Sequence, residues 1–250
     1  MPDSTIEGSS LHVRSSNKFD PYGGADPREI PAYGIAEAAH YLSVPENTVR
    51  SWACGRTFPG RSGHRRSTAL IVPANPQSNT LSFVNLLELH VLAAIRRQHH
   101  VEMSRVRTAL RELARRFNSQ HPLVDQEMLT DGTDLFTEQL GSLVNLSQEG
   151  QLAMRDTLEA HLKRIERDAR GLAVRLYPFT RTAVADAPRL IVIDPRLAFG
   201  KPVIAGSRIP TTDVFERFKA GDSLDALIAE YGRPSEEIQE AIRYEAERAA

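Results

Sequence analysis

Two short helical stripes separated by three residues constrain this chain more than any other feature. The stretch YGIAEAAHYLSVPENTVRSWACGR, residues 33–56, carries Ile35, Ala38, Ala39 and Leu42 at helical spacing, then Ser43-Val44-Pro45, then Val49 and Trp52 three apart. Pro45 suits the first turn of a second helix, where its missing N–H costs nothing. Gly55 is placed to end that helix. Helices this short, joined by so tight a turn, must cross and bury alanines between them, which is helix-turn-helix packing.

Such a unit inserts the N-terminal half of its second helix into the DNA major groove. That half is expected to turn Glu46, Asn47, Thr48, Arg50 and Ser51 outward. Arg50 can read guanine or hold a phosphate, and Asn47 can pair with adenine. The bland alternative is a helical hairpin with a solvated polar face. Charge favours the first reading. Residues 31–120 carry 12 basic and five acidic side chains, whereas residues 121–250 carry 16 basic and 22 acidic, within a net charge of −1. A basic part for a polyanion and an acidic part for another partner fit this split.

The segment RTFPGRSGHRRSTALIVPANPQSNT has glycines, prolines and a β-like run, Ala69 to Val72. It is expected to form a wing beside the recognition helix, with Arg56, Arg61, His64, Arg65 and Arg66 on a loop at its start. These side chains could reach phosphates or a minor groove. A helix burying Phe83, Leu86, Leu87, Val91 and Ile95 follows. A second, from about Met103, buries Val106, Leu110 and Leu113. His99 and His100 fall in the turn between them. With one cysteine in the chain, Cys54, and no ligand at i+3 or i+4, no metal site is expected there.

In the middle region, Asp131-Gly132 reads as a turn, and Leu135-Phe136 and Leu143 to Leu146 as strands of a small sheet. SQEGQLAMRDTLEAHLKRIERDARG reads as one helix ending at Gly171, with Leu152, Leu158, Leu162 and Ile165 along one stripe. LAVRLYPF then reads as a strand. The long charged helix either pairs with a twin in a dimer or lies on its own sheet.

Residues 199–232, FGKPVIAGSRIPTTDVFERFKAGDSLDALIAEYG, bring a Gly-Lys before a Gly-Ser, the reverse of a Walker loop, and Pro202 removes an amide a phosphate would need. The expected structure is a strand LIVIDP, a Val203-Ile204/Arg208-Ile209 hairpin turning at Ala205-Gly206-Ser207, and three short helices. Thr211 or Thr212, Asp222 or Ser223, and Ser235 cap them. Gly221 and Gly232 stop the first two, and Val214, Phe215, Phe218, Leu224, Leu227, Ile228, Ile238, Ala241 and Ile242 point inward. Glu236, Glu237, Glu240, Glu245 and Glu247 on the last helix would repel DNA. Arg208, beside the tight turn, pairs either with a carboxylate of its own domain or with an acidic partner.

Two resemblances rest on these residues. Residues 33–56, with SFVNLLELHVLAAIRR, resemble the DNA-binding domain of the MerR superfamily, although the wing is longer than usual. GKPVIAGSRIPTTDVFERFKAGDSLDALIAEYGRPSEEIQEAIRYEAE closely resembles a small homeodomain-like prokaryotic domain long catalogued as of unknown function. It departs from the usual pattern at Tyr231-Gly232-Arg233, where a Pro-containing segment is common. Together the two resemble VapB-type antitoxins of type II toxin–antitoxin systems, commonly encoded beside a PIN-like ribonuclease toxin. This resemblance implies an antitoxin that binds operator DNA as a dimeric autorepressor and silences its toxin, with Lys201, Arg208, Phe215 and Arg217 at the toxin contact.

The expected fold class is mainly α with small β elements. Residues 1–30 are a flexible arm, 31–118 a MerR-like winged helix-turn-helix domain, 119–187 a middle sheet and helix region, and 188–250 a C-terminal antitoxin domain. No triad, carboxylate dyad or metal cluster is present, so no catalysis and no cofactor are expected. The N-terminus does not read as a secretory signal and no apolar run is long enough to span a bilayer, so a cytoplasmic protein without a membrane partner is expected. The alternatives are a MerR-like regulator answering a small-molecule effector, and the DNA-binding arm of a recombinase whose catalytic chain is separate.

Overall fold

The computed structural model describes residues 22–60, 63–98, 101–125, 128, 131–181 and 187–249, the side chains of 60, 63–65, 97, 98 and 247–249 excepted. Helices α1 (Ile35–Leu42) and α2 (Glu46–Cys54) form the expected helix-turn-helix. Ser43 turns the chain in the left-handed region, and Gly55 (φ 76°) ends α2. An added Cβ at Gly55 would lie 2.3 Å from the Ser67 carbonyl oxygen, so only glycine lets the following strand start so close.

The wing is a two-stranded antiparallel ribbon, β1 (Arg56–Gly60) and β2 (Gly63–Ser67). The β-like run Ala69–Val72 is not one of its strands. The Trp52 carbonyl at the end of α2 accepts from the Leu70 and Ile71 amides, and Ile71 is buried. An orphan helix-end carbonyl thus recruits this run in place of a sheet partner. Basic residues expected on a loop consequently lie on paired strands, while Arg61 falls outside the described residues.

Helix α3 (Phe83–Gln98) is the axis of the molecule. It is buried on every side from Phe83 to Ile95, including Asn85, Glu88 and His90, because it packs against α1 and, farther along the chain, α6. Helix α4 (Met103–Phe117) buries Val106, Leu110 and Leu113 as its spacing predicts. His99 and His100 lie outside the described residues.

The middle region departs from expectation. Asp131–Val144 is one helix, α5, not a turn and two strands. Thr133, Phe136, Thr137, Leu140 and Gly141 form its buried side, and α4 and α6 pack on it. Two flanking helices supply an apolar surface with a period of 3.6, which overrides short apolar runs that alone suit strands. Helix α6 (Gln148–Leu162) stops short of Gly171. Its buried side is Met154, Leu158, His161 and Leu162, packed within the chain on α3 and α5, and Leu152 is exposed. Ile165 belongs to β3 (Ile165–Arg167), which pairs with β4 (Ala173–Leu176), and Gly171 sits in the turn between them.

Arg164 explains that break. Its buried guanidinium donates to four main-chain carbonyls, Tyr177 (2.8 Å), Pro178 (3.1 Å), Ala187 (2.8 Å) and Pro188 (2.8 Å), and lies over the Phe179 ring. Burial, helped by the neighbouring Arg189 charge, pulls its pKa down to about 10. A continued helix would turn this side chain away from those carbonyls and leave them unsatisfied.

Strands β5 (Ile191–Val192) and β6 (Val203–Ile204) pair antiparallel. The expected hairpin partner, Arg208-Ile209, contributes only a turn bond and the Val203–Pro210 bridge. Helices α7 (Thr211–Lys219), α8 (Leu224–Tyr231) and α9 (Ser235–Ala249) follow. Ser223 caps α8 and Gly232 (φ 60°) ends it, as expected. Thr211 is not a cap: it is the buried first residue of α7, and its hydroxyl donates to Glu245. Phe218, expected inside, is exposed.

One apolar core runs from Tyr33 to Ile193. A second, smaller one joins Ile191, Ile204, Val214, Leu227, Ile238, Ala241 and Tyr244. Among the described residues no helix is long and apolar enough to cross a membrane. The architecture is mainly α with three small two-stranded sheets.

Candidate functional site

The outer face of α2 presents exposed Glu46, Asn47 and Arg50, with Ser51 half-buried. Arg50 pairs with Glu46 one turn before it, an exposed contact that costs little to exchange for a phosphate or a base. Thr48 corrects the sequence expectation. It is buried, one turn from Trp52 on the inner side of α2, and its hydroxyl accepts from Arg96 of α3. Thr48 therefore holds the recognition helix in place and is not offered to DNA. Arg96 gave no sequence signal for this role, because the contact spans 48 residues.

Beside α2, the ribbon register pairs Arg56 with Ser67, Thr57 with Arg66, Phe58 with Arg65 and Pro59 with His64. Successive positions on a strand face opposite sides, so positions 65 and 66 lie on different faces. Arg56 and Arg66 are exposed. The base of the wing is anchored by Arg107 of α4, which donates to the Thr68 carbonyl at 2.6 Å. Behind it lies a cavity of about 160 Å³ lined by Leu70, Ile71, Glu88, Arg107, Arg111 and Leu123. Burial raises the Glu88 carboxyl, while His121 at 3.2 Å and Asn85 at 3.0 Å oppose that rise. The same contact raises His121.

The C-terminal residues divide. Arg217 is occupied within its own domain by Asp222 (2.7 Å) and Glu230, and its guanidinium lies over the Tyr231 ring. The two carboxylates raise its pKa still further. It is a brace between α7 and α8, not a free contact. Phe215 is half-buried, with Lys219 over its ring. Lys201 and Arg208 are exposed, and no carboxylate among the described residues pairs with either. The expectation that Arg208 pairs within its own domain is therefore not met.

The acidic helix α9 is also corrected. Glu240 is buried and receives Thr180, Arg181 at 2.8 Å and Arg243. Burial alone would raise its carboxyl, but the hydrogen bonds of Arg181 and Thr180 hold it below the ordinary value. Glu245 is buried between Thr211 and His40 of α1, whose Nε2 is 2.7 Å away, and the adjacent Tyr244 hydroxyl donates to the Tyr41 carbonyl at 2.9 Å. These two glutamates repel nothing. They fasten the C-terminal core to the helix-turn-helix.

A turn at Ala198–Gly200 was missed in the sequence. Ala198 (φ 45°), Phe199 (φ 56°) and Gly200 (φ 79°) are left-handed in succession. Among the described residues, the other non-glycine residues in that region are Ser43, Asn79, Asn118 and Asn145, small polar types that tolerate it. Alanine and phenylalanine cost about 1–2 kcal/mol each there. Phe199 is also 85% exposed. Surrounding contacts enforce the turn. Gly200 N–H donates to Leu197 (2.8 Å), Arg196 N–H to the Asp194 carboxylate (2.9 Å), and Tyr22 hydroxyl to the Pro195 carbonyl (2.7 Å). Gly200 lies so close to the Tyr33 hydroxyl that a Cβ would come within 2.2 Å of it.

Among the described residues no three His, Cys, Asp or Glu side chains gather as a metal site.

Residues 31–110 match the family described as "Putative DNA-binding HTH domain", and residues 191–244 match a family described as "Protein of unknown function (DUF433)". The "Putative antitoxin VapB45" of Mycobacterium tuberculosis is 31% identical over 234 residues, covering 86% of this chain and 93% of that protein. The uncharacterized protein Rv2308 of the same organism is 27% identical over 224 residues, covering 87% of this chain and 90% of that one. The X-ray crystal structure of Rv2018 from M. tuberculosis superposes with a TM-score of 0.62 at 26% identity, over 86% of this chain and 98% of the other.

Proposed function

The chain belongs to the family of the antitoxin VapB45, and on that premise we infer that it is an antitoxin that neutralises a cognate protein toxin and represses its own operon. The observation that carries this is the breadth of the match. It spans both the DNA-binding helix-turn-helix match and the C-terminal family match, so the relative shares both parts.

The toxin in this reading is a PIN-like ribonuclease, a class with aspartates gathered around a metal. The protein acts in the cytoplasm, without enzymatic activity of its own. It binds a palindromic operator as a homodimer, so that two α2 helices meet successive major grooves on one side of the duplex. Asn47, Arg50 and Ser51 face the bases, and Arg56, Arg61, His64, Arg65 and Arg66 face phosphates or the minor groove. The region 31–118 serves DNA and 188–250 serves the toxin, with 119–187 between them.

Co-expression with the product of the adjacent open reading frame tests this. Growth arrest by the neighbour alone, relieved by this chain with co-purification of the two, is the expected result. A harmless neighbour, or two proteins that do not associate, overturns it.

One observation favours a second reading, a regulator answering a small anionic effector. The cavity behind the wing holds Arg107, whose pKa is lowered by burial and by the charge of Arg111, among apolar walls. A metabolite that binds there and shifts operator affinity would support it.

A further inference from the structure

We propose that the left-handed turn at Ala198–Gly200 is the anchor by which this chain holds its toxin, with Phe199 as the inserted side chain and Lys201 and Arg208 as its cationic flank. This rests on the antitoxin reading and goes beyond it by naming the contact.

Nothing inside the chain benefits from Phe199. Its ring is 85% exposed, more than any other large hydrophobic residue among those described, so its burial does not offset the left-handed backbone. The turn is nevertheless over-determined on both sides, by Tyr22 on Pro195 and by Tyr33 against Gly200. A strained, rigidly held loop that presents an aromatic ring to solvent points to a function for the ring. A preset ring loses little freedom on insertion, and aromatic anchors dominate interface energies.

The surroundings specify the partner. Lys201 follows the turn directly, and Arg208 leaves the next turn after β6. Both are exposed and unpaired by any described carboxylate. Adjoining them is a cavity of about 320 Å³ lined by Tyr177, Val192, Leu197 and Arg208, with Leu197 two residues before Phe199. The face therefore combines an aromatic knob with an apolar recess bearing a free guanidinium. It fits a protein surface with an apolar pocket and a carboxylate rim, whose acidic side chain enters the recess to meet Arg208. The acidic clusters expected of a metal-dependent nuclease have that chemistry.

The experiment measures association of the full-length chain with the product of the adjacent open reading frame by titration calorimetry, and operator binding in parallel. Phe199→Asn keeps a residue tolerant of the left-handed region, so its Tm is expected to equal or exceed that of the original chain. Its toxin affinity is expected to fall by at least about tenfold while operator affinity stays unchanged. Phe199→Trp should retain binding. The Lys201→Glu/Arg208→Glu pair should lose it by a similar factor, with the loss shrinking at high salt. Undiminished binding by Phe199→Asn overturns the anchor and leaves the antitoxin reading intact. Absence of binding by the unsubstituted chain overturns both.

Discussion

At the residue scale, buried polar side chains do work that exposed ones were expected to do. Glu240 and Glu245 look in the sequence like part of an acidic surface, yet each is a buried acceptor with specific donors. For Glu240 the sign of the pH dependence is determined by its partners. A carboxyl held below its ordinary value when folded stabilises the protein above that ordinary value, near pH 4.5, and its contribution drains away as pH falls through the lowered folded value. Glu240→Gln is expected to lose about 1–3 kcal/mol at pH 7 and to match the original chain more closely as pH falls below about 4. Thermal unfolding across that range measures this, and an equal deficit at both ends would count against the buried ion pair. Thr48 carries the same lesson in the opposite direction: a hydroxyl expected at the DNA is the socket for Arg96.

At the element scale, the wing and α5 show how neighbours decide conformation. In the ribbon, alternation places positions 65 and 66 on opposite faces, so one phosphate-bearing strand meets only one of them. Replacing both Arg65 and Arg66 with alanine is therefore expected to flatten the log K against log salt slope by about 0.9, the value for a single lost phosphate contact. A reduction near twice that would show both arginines on one backbone, and an unchanged slope would remove the wing from the interface. Arg50→Ala should weaken operator binding as well. Binding titrations at several salt concentrations read both. Helix α5 formed where strands were expected because α4 and α6 both pack on it, and neither contact is visible in a local window. Likewise α6 ends where Arg164 turns to collect carbonyls as far as 24 residues away.

At the scale of the whole molecule, the two apolar cores are joined through α9. His40 and Tyr41 of the helix-turn-helix meet Glu245 and Tyr244, and Arg181 meets Glu240. Toxin held on the C-terminal face would thus sit on a body fastened to the first helix of the DNA-binding unit. Glu245→Gln combined with Tyr244→Phe is expected to separate one cooperative unfolding transition into two, the C-terminal core melting first. Calorimetry that still shows a single transition at the original Tm would mean that the latch contributes nothing to coupling.

The sequence alone determined the helix-turn-helix, α3, α4 and the three closing helices, because stripe spacing, capping serines and stop glycines act within a few residues. Ser223 and Gly232 bound α8 where reading placed them, and Gly55 ends α2. The candidate residues of α2 and the wing were legible for the same reason: residue type and local periodicity put them there. Tertiary structure decided the rest. Which side of α2 Thr48 takes, whether Arg217 or Arg208 is free, why α9 needs its glutamates and why Phe199 stands in solvent all depend on partners 5 to 205 residues distant. Local propensity carries no record of such distances, and burial supplies the energy that settles them.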